Sequence, residues 1–224
     1  MRKIYLFLSL VSLLFTTTVK AQLPTKCFEI QSILVDACSP SSASVEGTNE
    51  MVRFITGPSQ LNTSALSVTW PNTALTWRGI CTSPSTTAAL NATIARCGLL
   101  IEPPGGVIPA GATVILATSD TINPSYNSFA NLTDTIYIIY QCSGNPPNTG
   151  HFANGGTGIR TLIMRFNPPF GCNDTVSYDR ALLQGGNGAF VNYNFQGNAT
   201  YSNNGCQAII PISSIFAEIG RAHV

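Results

Sequence analysis

Two β-prone runs, separated by a segment that can extend neither, set the limits on this chain. Leu99–Ile101 and Thr113–Thr118 are apolar and rich in β-branched residues, and between them runs Glu-Pro-Pro-Gly-Gly-Val-Ile-Pro-Ala-Gly-Ala. Proline fixes φ and removes a backbone donor, while glycine opens positive φ, so such a segment turns. Gly98–Ser119 therefore reads as strand, turn, strand, a hairpin at the centre of a β-sheet domain.

The rest of the chain supports that class. Phe28–Ala37 alternates at first and then becomes continuously apolar, as in a strand whose far end is buried on both faces. Glu50–Thr56 is a second strand, with Met51, Arg53 and Ile55 on one face and Val52 and Phe54 on the other. Leu66–Trp70 alternates until Pro71 stops it. Thr135–Gln141 is the most β-prone run and reads as a central strand. Ile159–Phe166, Thr175–Tyr178 and Gly188–Phe195 add further strands, and Thr82–Arg96 holds the one short helix. Asp120–Asn131 and Ser143–Gly158 are polar loops. About eight short strands with one helix predict an all-β sandwich.

Residues 1–21 read as a secretory signal: Arg2 and Lys3 precede an apolar run, Ile4–Phe15, too short to span a bilayer, and small residues close it at Val19-Lys20-Ala21. The mature chain is expected to start near Gln22 with no membrane span of its own. From there to Ala217, seven Lys and Arg face nine Asp and Glu, a difference of minus two. Neutralising a phosphate backbone needs clustered cations, so nucleic acid is excluded as a partner. The polar surface must come from Ser, Thr, Asn, Gln and Gly.

Seven cysteines behind a signal sequence imply disulfides in an oxidising compartment, with one thiol left over. Cys81 and Cys97 bracket the short helix and are expected to pair; Cys142 and Cys172 bracket a loop and one strand and are paired likewise. If Phe28–Val35 is extended, ~3.3 Å per residue puts Cys27 and Cys38 roughly 30 Å apart, which forbids a bond between them. One of the two takes Cys206; the other is spare or has its partner outside this sequence.

The order Ile33-Leu-Val-Asp36, Asn49-Glu-Met-Val-Arg-Phe54, the Trp70 strand, Val107–Leu116 and Asp174-Thr-Val-Ser-Tyr178 resembles a bacterial lamin-tail-like domain. That likeness covers most of Phe28–Gln207 and implies an immunoglobulin-like β-sandwich, here spanning residues 22–210. The segments around Cys27–Cys38 and Asn203–Gln207 are similar to the leading domain of large secreted surface proteins of the Bacteroidetes, which implies a secreted or outer-surface location and a covalent continuation into a C-terminal sorting region. Residues 211–217 would begin that linker. Glu218–Val224 resembles the in-frame translation of a sequencing adapter, so residues 218–224 are expected to be artefact. Three tripeptides, beginning at Asp120, Asp134 and Asp174, are similar to the O-glycosylation acceptor pattern of that phylum, with Thr121, Thr135 and Thr175 as acceptors.

Little in the chain points to catalysis. His151 is the single histidine before the C-terminal seven residues, no Gly-x-Ser-x-Gly elbow accompanies it, and it reads as a loop residue. No Cys-x-x-Cys pair suggests zinc, no EF-hand spacing accompanies Asp120 or Asp134, and no cofactor is expected. Glu50, Glu102, Asp134 and Asp174 could supply a carboxylate pair for glycoside hydrolysis. The first expectation is a noncatalytic module for binding or adhesion, contacting an extracellular glycan, matrix or protein partner; a hydrolytic module and a structural spacer are the alternatives. A flat aromatic patch from Trp70, Trp77 or Tyr126 would favour the first, and a buried carboxylate pair in a cleft the second.

Overall fold

The computed structural model describes residue 24, residues 26–39 and residues 45–211. The expected signal sequence, residues 212–217 of the expected linker and residues 218–224 lie outside these.

The strands are β1 (Phe28–Asp36), β2 (Met51–Thr56), β3 (Leu61–Asn62), β4 (Leu66–Thr69), β5 (Ile80–Cys81), β6 (Leu99–Ile101), β7 (Val107–Ile108), β8 (Thr113–Ala117), β9 (Thr135–Gln141), β10 (Ile159–Phe166), β11 (Cys172–Asp179), β12 (Ala189–Tyr193) and β13 (Ala199–Asn203). One helix, α1 (Pro84–Asn91), stands among them, so the fold is an all-β sandwich with one short helix. The main sheet runs β13-β12-β1-β2-β8-β9-β5, with β6 also on β9; β11-β10-β4 forms the second layer, and β3 pairs with β7.

The apolar runs of β1, β2, β8 and β9 follow from burial on both faces of the main sheet. One face packs on β4, β10 and β11 through Phe28, Val52, Phe54, Leu162, Met164 and Phe166, with the rings of Phe28 and Phe166 5.1 Å apart, edge to face. The other face carries Leu34, Met51, Ile115 and Ile138, and is covered by Leu90 of α1, by Ile122, Phe129 and Leu132 from the loop before β9, and by Ala208–Ile210. The predicted polar loop Asp120–Asn131 thus buries two apolar anchors, Ile122 and Phe129.

The expected hairpin does not form. β6 and β8 both run parallel to β9 and do not pair with each other. Between them Pro104–Gly106 makes a tight 3-10 turn, with Gly105 and Gly106 at φ of 61° and 75°, and β7 leaves to pair with β3. The turn chemistry of Pro and Gly is present, but the segment is long enough to cross over instead of folding back.

Two of the expected disulfides are replaced. Cys81 joins Cys142, not Cys97, because β5 lies antiparallel on the end of β9 and brings their Cα atoms to 4.9 Å. Cys172 joins Cys27, not Cys142, tying the first strand of the main sheet to the second layer. Cys38 joins Cys206, and the unpaired thiol is the exposed Cys97, neither Cys27 nor Cys38. Nearness in sequence misled here, since sheet register sets which Cβ atoms meet. Three disulfides fit an oxidising compartment. No helix among the described residues is long and apolar enough to cross a membrane.

Candidate functional site

The expected loop residue His151 is buried, at 2% exposure, against the fully buried Glu50 that leads into β2. Glu50 Oε2 accepts from the backbone N–H of His151 at 2.6 Å and lies 3.1 Å from His151 Nδ1, while Oε1 accepts from the N–H of Phe152 at 3.2 Å. On the far side of the ring, Nε2 lies 2.9 Å from Gln141 Nε2 and 3.0 Å from Asn145 Nδ2. Gln141 Nε2 also donates to Thr118 O, and its Oε1 accepts from Trp70 Nε1 at 3.0 Å, which fixes that amide. Asn145 Nδ2 is fixed in turn by Thr76 O. Nε2 is therefore the acceptor and Nδ1 carries the proton.

A His–carboxylate pair of this shape invites a catalytic reading, but each of its polar atoms is held within the fold. Both ring nitrogens are engaged by carboxylate and amides, and no hydroxyl or thiol among the described residues is hydrogen-bonded to the ring. Burial lowers the imidazole to about 4, keeping it neutral. Burial raises Glu50 well above the carboxylate range, opposed by the two backbone N–H groups. The pair is a clasp that pins the loop before β10 onto β2. Gly150 is part of it, since a Cβ there would sit 2.7 Å from Glu50 Oε1. Nearby, burial first and then Glu50 and Asp36 raise Glu46 to about 8, and Asn154 Nδ2 donates to Glu46 Oε1 at 2.7 Å.

The four carboxylates singled out in the sequence sit on separate segments of the chain. Glu102 accepts from Ser83 N and Thr87 Oγ1 at 2.9 and 2.6 Å, tethering the first turn of α1. Asp134 precedes β9. Asp174 accepts from the N–H of Ile30 at 2.8 Å and from Lys26 at 3.3 Å. Its carboxylate neighbour is Glu29, which the sequence did not single out: Lys26 bridges the two beside a cavity of about 140 Å³ that Phe195 also lines. Asp120 accepts from Ser143 N, and no group of three metal-ligating side chains occurs among the described residues. Thr121, Thr135 and Thr175 are all exposed.

A separate open groove has a volume of about 440 Å³. One wall is the Pro103–Gly106 turn, the opposite wall is Asn62, Thr63 and Ser64, and Trp77 with Ile80 closes it. Asn62 Oδ1 accepts from Ser64 N and Oγ at 2.9 and 2.7 Å and holds that wall rigid. Gly106 is required, because a Cβ would lie 2.6 Å from Thr63 Oγ1. Trp70 is buried in the core and packs on Trp77 with centroids 6.2 Å apart, so a fixed ring supports the half-buried one. No charged side chain lines the groove. Tyr126 belongs to the loop over the other face of the main sheet and contributes nothing to it. No family model, curated protein or solved structure matches this chain.

Proposed function

We propose that the protein is a noncatalytic, secreted or outer-surface β-sandwich module of lamin-tail-like type that binds a neutral glycan in the groove beside Trp77. The observation that carries this reading is the lining. An indole set among amide and hydroxyl side chains and glycines, with no ionisable group, matches the apolar faces and hydroxyl rims of sugar rings and offers nothing to a phosphate or an ion. The saturated His151 clasp supports the noncatalytic part of the proposal.

Affinity electrophoresis of the mature protein through gels containing xylan, mannan or β-glucan tests it. Retardation by at least one neutral polysaccharide, lost in Trp77→Ala and kept in Trp77→Phe, is the expected result. Equal migration of all three proteins in every gel would refute it.

The hydrolytic alternative has one observation in its favour, the Glu29–Lys26–Asp174 cluster. Burial raises Glu29, as suits an acid, but both oxygens of Asp174 already take hydrogen bonds from Ile30 N and Lys26. Release of reducing ends from the same polysaccharides, abolished by Glu29→Gln, would establish it over the binding reading.

A further inference from the structure

Arg53 lies on β2 three residues beyond Glu50, on the opposite face, and is only 7% exposed. Its Nη1 donates to the carbonyls of Ile209, at 3.1 Å, and Ile210. No carboxylate among the described residues pairs with it, and its Nε–H is buried without a hydrogen-bond partner. Ser32, its partner in the β1–β2 register, is fully buried, and its Oγ is also unpartnered. Asn204 donates from Nδ2 to Gln207 O at 3.0 Å, which leaves Oδ1 as an acceptor, and that oxygen too is buried and unpartnered. All three residues line one cavity of about 110 Å³, whose walls also include Phe190, Asn192 and Gln207–Ile210.

Such a concentration is unusual. Six buried side-chain polar atoms lack a partner among the described residues, and three of them belong to residues around this one cavity. Each unmade hydrogen bond is costly, and a buried cation without a counter-charge more so. Water could satisfy the hydrogen bonds, since the cavity is polar and roomy enough to hold it. It could not neutralise the guanidinium.

We propose that this cavity is a binding site for a small α-hydroxy carboxylate. The carboxylate supplies the missing negative charge and accepts from the Arg53 guanidinium, a planar donor suited to that group. The hydroxyl donates to Asn204 Oδ1, and Ser32 Oγ, both donor and acceptor, completes the set. The apolar ring of Phe190 and the limited volume exclude long chains. The site lies on the face of the main sheet opposite the Trp77 groove, and its ligand is independent of the glycan reading.

Calorimetric titration of the mature protein at fixed ionic strength, with glycolate, acetate and glycolamide as probes, tests the proposal. Glycolate should saturate a single site and raise the unfolding midpoint by mass action; acetate, lacking the hydroxyl, should bind about tenfold more weakly, and uncharged glycolamide should not bind. Arg53→Met should abolish glycolate binding. Because that change also removes the contacts to Ile209 and Ile210, Ser32→Ala, which leaves them intact, serves as the second variant and should weaken glycolate about tenfold. Absence of saturable heat with glycolate, equal responses to glycolate and glycolamide, or unchanged glycolate binding in Ser32→Ala would each overturn the assignment.

Discussion

Glu50, leading into β2, and Arg53, on it, are both buried and both charged types, and they are treated in opposite ways. The carboxylate meets two backbone N–H groups and a histidine ring whose remaining nitrogen is filled by two fixed amides. The guanidinium meets two carbonyls, a cavity and, among the described residues, no counter-charge. A buried polar network with every valence used holds chain to chain; one with valences left open has room for something else. The difference separates structure from site here better than residue type does, since the residues that look catalytic are the saturated ones.

Substitutions on the two sides should break in different ways. Glu50→Ala leaves the N–H groups of His151 and Phe152 and the His151 ring without their acceptor, and should cost about 3 to 5 kcal/mol in urea unfolding. A loss below ~1 kcal/mol would mean that the clasp does not hold the loop. pH should act on the same side of the molecule. His151 is lowered to about 4 in the folded state, so its contribution is complete above its unfolded value near 6.5 and is lost as pH falls through 4. Glu46 is raised to about 8, so its contribution is complete below about 4.5 and is lost as pH rises through 8. The two oppose each other between about 4.5 and 6.5, and above that stability should decline toward pH 8. Glu46→Gln should flatten that alkaline decline, as followed by thermal unfolding across pH. Arg53→Met should show the smallest effect, about 1 to 2 kcal/mol without ligand, because the lost hydrogen bonds to the Ile209 and Ile210 carbonyls are partly offset by removing a buried cation with no counter-charge among the described residues. A loss as large as that of Glu50→Ala would erase the contrast.

Much of the fold was legible because burial on two faces leaves a plain mark. The runs 33–35, 114–117 and 136–140 are apolar without alternation, and the structure places them inside a sheet covered on both sides. β13 was not legible: Ala-Thr-Tyr-Ser-Asn is an edge strand, half-exposed and rich in polar residues, with no periodicity to read. Cys97 was misassigned because sequence distance says little about register. His151 was missed as a buried residue because the Gly/Asn/Pro composition of its loop resembles that of a solvated one, and only Glu50, a hundred residues away, draws it inward. Of the groove, Trp77 was marked as a possible aromatic contact and Pro103–Gly106 as a turn, with no sign that they would face each other.

The sequence by itself determined the β class, the single helix, the facing pattern of β2 and the separation of Cys27 from Cys38, because each depends on local geometry with a period of two or on simple reach. Tertiary structure alone decided which cysteines meet, that β6 and β8 lie parallel on β9, and that Glu50 is satisfied while Arg53 is not. Those outcomes depend on which distant segments become neighbours, and the count of partners around a buried charge is a property of that neighbourhood.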